Sequence, residues 1–444
     1  MILNENEAKN LLTKILSYSK ADSISATLTG SNTFNLRFAL NSLTTNGFSD
    51  GLNVSVTSDI GKKSGNVSIN KFDDKSIKEA VEKSEEIAKL CPDNLEFMPP
   101  LGAQEYLKAI NYSQETEKLN HTNRAAHLAY IIQKSLEKGV VSAGYFEDGL
   151  SFTAVMTSNG LFAYNKNTGC NFSATVRSED GTGSSRVEKS YVNVKDLNSK
   201  RLTDIAIQKC KVSAKPAELK PGRYTVILEP AAAADMIALA LNFMGARAAD
   251  EGRSFFTKKG GGNKIGEKLV GDKVTIYSDP SDPKSPSIPF TSEGYPRTRI
   301  VWFENGVLAN LHRPRFWAKE KGAQVVPYPS NLIMQGGTKS LKQLVSETES
   351  AILITRFWYI RTVERKTMLL TGLTRDGLFE IKDGKIYRSV KNFRFNESPI
   401  GVLSNLIDFG KAEKAVGSEN ETLQIFVPPL KVNDFNFSSL SDAI

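Results

Sequence analysis

The sequence predicts an α+β protein, with an N-terminal helix and antiparallel-meander domain and a large, mostly antiparallel β C-terminal domain. Three observations predict it. Apolar spacing changes from helical to alternating near residue 23. An Ala-rich apolar stretch, Ala231 to Ala249, follows a boundary marked by Pro216 and Pro221. From Lys273 onward, short alternating runs are separated by Pro, Gly, Asn-Gly and Asp-Gly. The 444 residues are 40% hydrophobic and 24% charged, the usage of a folded chain rather than a disordered one. That length has room for roughly two or three domains, and the changes of pattern divide it at 1–91, 92–215 and 216–444.

Residues 5–18 place Ala8, Leu11, Leu12, Ile15 and Leu16 at helical spacing, with Asn4 or Asn6 as cap. Alternation follows in runs around Ile24 to Leu28, Phe34 to Phe38, Leu52 to Val56 and Val67 to Ile69. Thr29-Gly30-Ser31, Asn46-Gly47, Asp50-Gly51 and Lys63-Ser64-Gly65 stand between these runs and read as turns of a meander. A second helix runs from Asp74 to Leu90, ended by Cys91-Pro92, because proline disfavours helix before it. Residues 92–103 read as a linker, and Thr122 to Lys138 as a helix stopped by Gly139. Strands are expected at 140–145, 151–157, 162–165 and 170–177, with Asn159-Gly160 as a hairpin, and a helix at 202–213. Beyond 216 come a strand at 223–229, one long helix over 231–249, and strands at 273–278, 298–303, 307–311, 351–359, 368–373, 378–381 and 385–389.

The 57 Lys+Arg against 49 Asp+Glu give +8, but basic residues are interleaved with acids, as in Glu82/Lys83 and Glu137/Lys138. Nucleic-acid binding is therefore not expected, since it calls for a concentrated patch or a recognisable motif. Cys91, Cys170 and Cys210 lie far apart with no CxxC pair, and the N-terminus lacks the basic start and apolar core of a signal peptide. No apolar run is long enough to span a bilayer, so a cytoplasmic protein without membrane contact is expected.

Chemistry-bearing motifs are few. Of the histidines His121, His127 and His312, the first two are six apart, about 240° around a helix, and so cannot share a metal. No nucleophile elbow, Walker loop or dinucleotide fingerprint occurs, and Gly260-Gly261-Gly262 reads as a hairpin loop or an anion-wrapping turn. Asp250 and Glu251, bracketed by Arg247 and Arg253 at the end of the Ala-rich helix, form either a constructed site or a structural ion network. Arg356, Trp358 and Arg361 stand on a strand that either lines a peptide chamber with aromatics and cations or is an ordinary half-buried strand.

Three segments of the second half resemble the TldD/PmbA family, known as modulators of DNA gyrase and as the TldD-TldE peptidases. They are Gly266-Glu267-Lys268-Leu269-Val270 running into Lys273-Val274-Thr275-Ile276; Glu293-Gly294-Tyr295-Pro296 with Arg299 to Leu308; and Asp383-Gly384-Lys385-Ile386 with Val390 to Asn396. The resemblance implies a C-terminal β domain enclosing a cavity and a dimer enclosing a chamber for unfolded peptide. Active members carry HExxxH on a helix plus a late cysteine, which together hold zinc, with the glutamate as general base. Their motif precedes a Gly-x-Ser-x-Phe segment, matched here by Gly252-Arg253-Ser254-Phe255-Phe256. Counting back puts the two histidines and the glutamate near Ile237, Asn242 and Ala238, and no cysteine follows Cys210. The resemblance is therefore to the zinc-less PmbA (TldE) side. It implies a peptide-binding subunit without a cofactor of its own, partnered by a zinc-bearing TldD-type subunit or by itself. Two other functions stay open: a stand-alone hydrolase using Arg247, Asp250, Glu251 and Arg253 with Arg356 or Arg361, and a module that modulates a nucleic-acid enzyme such as DNA gyrase.

Overall fold

Helix α1 (Glu5–Ser17) opens the chain with a reciprocal cap, Asn4 accepting from the Glu7 amide while the Glu7 carboxylate accepts from the Asn4 amide. The computed structural model describes residues 1–419 and 423–442. After α1 the chain builds one antiparallel sheet in the order β3-β2-β1-β4-β5-β6. Its strands are β1 (Ser23–Ala39), β2 (Ser42–Ile60), β3 (Lys63–Ile69), β4 (Val140–Thr157), β5 (Phe162–Ser178) and β6 (Ser184–Tyr191). The short runs expected from the sequence are thus joined into strands of 17 to 19 residues.

The expected turns at Gly30, Asn46-Gly47 and Asp50-Gly51 are not turns. Gly30 sits inside β1 because a Cβ there would lie 2.3 Å from the Phe152 ring and 2.5 Å from the Met1 carbonyl oxygen, so glycine is required by close approach and not by backbone reversal. The reversal occurs instead at Leu40–Asn41, two non-glycine residues with φ of 49° and 58°. Asn41 holds it in place: its side chain donates to the Val140 carbonyl (2.7 Å) and accepts from the Ser142 amide (2.7 Å). The Asn159-Gly160 reversal between β4 and β5 is present as expected, with Gly160 at φ 93°.

Alternation gives the two faces of this sheet different company. Even-numbered side chains such as Ile24, Leu28, Phe146, Phe152 and Phe172 are buried under helices. Helix α1 and α2 (Asp74–Leu90) cover one end. After the short α3 (Gln114–Glu117), α4 (His121–Lys138) and α5 (Ser199–Ser213) cover the other. Beneath α4 lies a buried ion pair, in which Arg124 donates to both carboxylate oxygens of Asp148 (2.6 and 2.9 Å) and stacks over the Phe34 ring at 3.8 Å. The odd-numbered face turns toward the C-terminal half. There Val155 and Ala163 pack with Leu101, Tyr106, Ile288 and Phe290, and the Tyr106 hydroxyl donates to the Gly294 carbonyl at 2.7 Å.

The C-terminal half combines a barrel and a second sheet. In the barrel, β7 (Gly222–Leu228), β12 (Ser350–Glu364), β13 (Leu369–Lys382), β15 (Phe393–Glu397) and β19 (Leu430–Leu440) follow the order β12-β7-β19-β15-β13 and close through β13 on β12. Strand β14 (Lys385–Ser389) flanks β13, and β16 (Leu406–Phe409) pairs with β19. The interior is aromatic: Phe357, Phe395, Phe435 and Phe437 lie 4.6 to 6.0 Å from neighbouring rings. The expected strands 368–373 and 378–381 are one strand, β13, bent at Asp376 and Gly377, whose φ values are 57° and 116°. The second sheet runs β10-β9-β8-β11-β18-β17, with β8 (Ile276–Ser278), β9 (Ile300–Glu304), β10 (Val307–Leu308), β11 (Asn331–Met334), β17 (Glu413–Ala415) and β18 (Gln424–Val427). The pairs β12–β7 and β11–β18 are parallel and the other pairs antiparallel.

Helix α6 (Pro230–Leu241) lies in the core shared by the barrel and this sheet, buried nearly all round. The single helix expected over 231–249 is broken. Residues 242–245 leave the helix, and α7 (Ala246–Asp250) restarts after Gly245. A strand-like bridge causes the break, His312 donating its amide to the Met244 carbonyl and accepting from the Ala246 amide, both at 2.8 Å. Among the described residues no helix is long and apolar enough to cross a membrane.

Removing one member of a buried ion pair strands the other charge. Asp148→Ala is expected to lower unfolding free energy by about 3–5 kcal/mol, measured by urea denaturation, whereas a loss like that of an exposed pair would show Arg124 to be solvated.

Candidate functional site

The odd face of the first sheet and the C-terminal half leave a cleft of about 710 Å³ between them. Its floor includes Thr153, Asn167 and Gly169, and its far wall includes Asn242, Ser287, Arg297, Tyr328, Glu419 and Gln424. Most of these groups are neutral hydrogen-bonding side chains. Arg297 is tied down, donating to the Tyr328 carbonyl (2.9 Å) and to the Phe290 carbonyl, and burial pushes its guanidinium down to about 10. Glu419 accepts from the Ile360 amide (2.7 Å) and from Arg361 (3.1 Å).

Helix α6 reaches this cleft only at its C-terminal end. Asn242 accepts at Oδ1 from the Tyr328 hydroxyl (3.0 Å), while Ile237 and Ala238 are enclosed in the apolar core. The residues present do not fit the zinc ion that the resemblance implies for active members. At the positions which that resemblance matches to its motif, a sec-butyl side chain, a methyl group and a carboxamide stand in place of two imidazoles and a carboxylate. Among the described residues no three His, Cys, Asp or Glu side chains are grouped to hold a metal ion. His127 stacks on Phe146 at 4.6 Å and meets the Ser199 hydroxyl at 3.1 Å, and burial lowers its pKa. His312 Nδ1 lies 2.8 Å from the Val326 carbonyl, and burial lowers its pKa too.

The seven candidate residues fall into two groups that share no hydrogen bond or ion pair among the described residues. In the first, Arg247 bridges Glu96 (2.7 Å) and Glu251 (2.9 Å), and Arg253 also grips Glu251. Arg253 and then Arg247 hold the Glu251 carboxyl below its ordinary pKa. Asp250 accepts from Asn263 and from the Trp317 indole, both at 2.7 Å, and Arg247 lies 5.2 Å from the Trp317 ring. This is an exposed ion network that ties the linker to α7. In the second group, Arg356 and Arg375 flank the Trp358 ring, each at 5.1 Å, and Arg356 reaches Asp376 (3.4 Å). Arg361 approaches the cleft through Glu419. Of the seven, none itself lines the cleft.

Two buried ionisable groups near the cleft escaped the sequence reading. Asp235, fully enclosed on α6, accepts from the Ser418 hydroxyl (2.9 Å) and the Glu419 amide (3.1 Å), and burial pushes its carboxyl up to about 7. It thereby anchors the segment that carries Glu419 into the cleft. Lys414 donates to Gln424 (2.5 Å) and to the Ser285 hydroxyl (3.2 Å), and burial pushes its amine down to about 8. The only sequence signal for Asp235 is a single acid inside an apolar helix; Lys414 leaves none.

Comparison with known proteins agrees with this architecture. Models of the PmbA/TldA metallopeptidases match domain 1 at residues 27–88, the central domain at 70–211 and the C-terminal domain at 221–439. A three-part metallopeptidase fold is thus present along most of the chain. The chain belongs to the PmbA/TldD metallopeptidase family. It is 26% identical over 231 residues to a protein named "Metalloprotease" from Methanothermobacter thermautotrophicus, a match spanning 48% of this chain and 47% of that relative. The chain thus spans about half the length of that curated relative. Among solved structures, TldE from Thermococcus kodakarensis superposes with a TM-score of 0.87 at 16% identity, covering 97% of this chain and 99% of that one. A Bacteroides thetaiotaomicron protein named as a modulator of DNA gyrase gives 0.85 at 20% identity, covering 99% and 100%. At these identities the likeness is one of fold.

Asp235 supplies a pH test. Its folded-state pKa of about 7 lies above its ordinary 3.8, so the folded chain holds the extra proton between those values. The associated stability is complete below about pH 4 and is lost as pH rises through 7. Asp235→Asn keeps an acceptor for the Glu419 amide and carries no charge. It is expected to flatten the profile from pH 4 to 7 and to exceed the parent at pH 8 by on the order of 1–3 kcal/mol. Urea unfolding at pH 5 and pH 8 reads this directly, and equal pH slopes in the two proteins would contradict it.

Proposed function

We propose that this chain is a zinc-less, peptide-holding subunit that works in the cytoplasm as a dimer, either with a zinc-bearing TldD-type homologue or with a second copy of itself. One observation carries the reading: a polar cleft is retained beside α6, while the helix presents Ile237, Ala238 and Asn242 where active members place the metal-binding motif. A chain with those residues can still bind and orient a substrate. It has no general base or metal-held water of the family type to attack one. The family fold and the metalloprotease relative support a role in peptide processing, and the solved TldE structure shares the fold.

The test is to purify the chain alone and after co-expression with an HExxxH-bearing homologue. Zinc is then measured by inductively coupled plasma mass spectrometry, and cleavage of an unfolded polypeptide is followed. The isolated chain is expected to hold far less than one zinc and to cleave nothing, with zinc and turnover appearing only in the co-purified complex. Stoichiometric zinc with peptide turnover in the unaccompanied chain would defeat the reading.

A further inference from the structure

Two arginines on the outer face of the barrel stand where the packing of the fold gives no reason for them. Phe357 enters the barrel, so alternation turns Arg356 and Trp358 outward. On the neighbouring strand Thr374 is fully enclosed and Arg375 is half-buried on the outer face. Arg356 and Arg375 are directly opposite each other in the β12–β13 register. Like charges so placed destabilise a sheet, because their Cβ atoms are only about 5 Å apart. The local backbone is nevertheless shaped around them. Ladder irregularities bracket the pair, between Ile354 and Arg356 and between Trp358 and Arg361. Tyr359 and Asp376, neither of them glycine, hold φ of 54° and 57°. Bulges re-aim side chains, and left-handed residues persist only where the surrounding structure over-determines them.

The surroundings do not neutralise the two charges. Among the described residues Arg375 has no hydrogen-bond acceptor and no ion-pair partner, and its guanidinium meets the Trp358 ring at 5.1 Å. Arg356 exposes 11% of its side chain, and its Nε is buried without a hydrogen-bond partner. Asp376 lies 3.4 Å from that Nε without completing a hydrogen bond, and its Oδ1 accepts from the Ser184 hydroxyl (2.7 Å). Asp235, the other acid that acts on Arg356, is engaged by Ser418 and the Glu419 amide. Burial lowers the Arg356 pKa, and Arg186 and Arg375 lower it further against the pull of the two acids. Arg186 is itself already paired with Glu188. Other arginines of the same sheet have their acids: Arg361 has Glu419, and Arg388 has Glu380. Buried donors are costly to leave unsatisfied, so an unbonded Arg356 opposite an unbonded Arg375 points to an acceptor from outside the chain. Trp358, 38% exposed, keeps both guanidiniums beside it at the surface.

We infer that Arg356 and Arg375 form a binding site for a phosphate group, carried by the free ion or by a small phosphate monoester. A planar guanidinium fork takes the two oxygens along one edge of an anion. A carboxylate has one such edge to divide between two forks, whereas a tetrahedral phosphate offers a separate edge to each. Its nearly double negative charge also cancels the repulsion across the strand pair, while Trp358 holds the forks in place. The site lies outside the cleft and does not depend on the peptide-holding reading.

The test titrates the full-length chain calorimetrically with inorganic phosphate, phenyl phosphate and acetate at constant ionic strength. The parent is expected to bind one phosphate saturably and acetate about tenfold more weakly or worse. Arg375→Gln relieves the repulsion, so it is expected to keep or raise the melting temperature of the unliganded chain while weakening phosphate binding about tenfold or more. Arg375→Lys keeps the charge without the fork and is expected to recover only part of that loss. Arg365→Gln, exposed between the same two strands, is expected to bind as the parent does. Tighter binding of phenyl phosphate than of the free ion would assign the site to a monoester, and the reverse order to the ion itself. Should Arg375→Gln lower the melting temperature, Arg375→Lys decides alone, and full affinity in it overturns the site. A parent chain that binds no phosphate, parent-like affinity in a stable Arg375→Gln, or acetate held as tightly as phosphate would each overturn it too.

Discussion

Strict alternation along strands of unusual length is the constraint on which this molecule depends. The side-chain period of a strand is two residues, so one strand can bind an apolar layer of helices on one face and present a polar surface on the other. Strand β5 does this over 17 residues: Phe172, Ala174 and Val176 enter the helix-covered core, while Asn167, Gly169 and Asn171 face the C-terminal half. The cleft exists because the second half packs against the polar face only in part. Leu101, Tyr106, Ile288 and Phe290 seal one end of that contact and leave the middle open.

Helix α6 is the second organising element, and its apolar surface explains both its place and its silence. A helix built from Ala, Met, Ile and Leu is suited to burial among the barrel, the second sheet and the chain that joins them. Only Asn242, where the helix gives way to the bridge with His312, emerges at the cleft. The one charged side chain within it, Asp235, is used internally to hold the 417–419 segment. The Glu419 carboxylate and the end of α6 are therefore linked through a single buried acid.

Much of the fold was legible in the sequence. Helices α1, α2 and α4 follow from apolar spacing and, for α1, from the cap at Asn4; the caps at Asp73 and Asn120 are seen only in the structure, and Gly139 stops α4 in the left-handed conformation expected of it. What misled was punctuation. Gly30 and Gly47 lie within strands because neighbours across the sheet crowd them, Phe152 and the Met1 carbonyl at Gly30 and Asn35 at Gly47, and local sequence does not show which residues a strand will pair with. The true reversal at Leu40–Asn41 carries no glycine, since Asn41 recovers the cost of its backbone through bonds to β4. The break at Gly245 likewise depends on a distant partner, His312. The ion network of Arg247, Glu251 and Arg253 was visible as a cluster, because its members are near in sequence. The cleft was not, because its floor and far wall come from opposite halves of the chain.

The clamp at Asn41 has a consequence for how the whole ribbon is phased. By pinning the reversal between β1 and β2 to the start of β4, it leaves the three longest neighbouring strands a single alignment. A slip of one residue would invert every side chain, sending asparagines beneath the helices and phenylalanines into water. Three bonds from one carboxamide at the rim thus act as the index mark that keeps inside and outside distinct along the full length of the sheet.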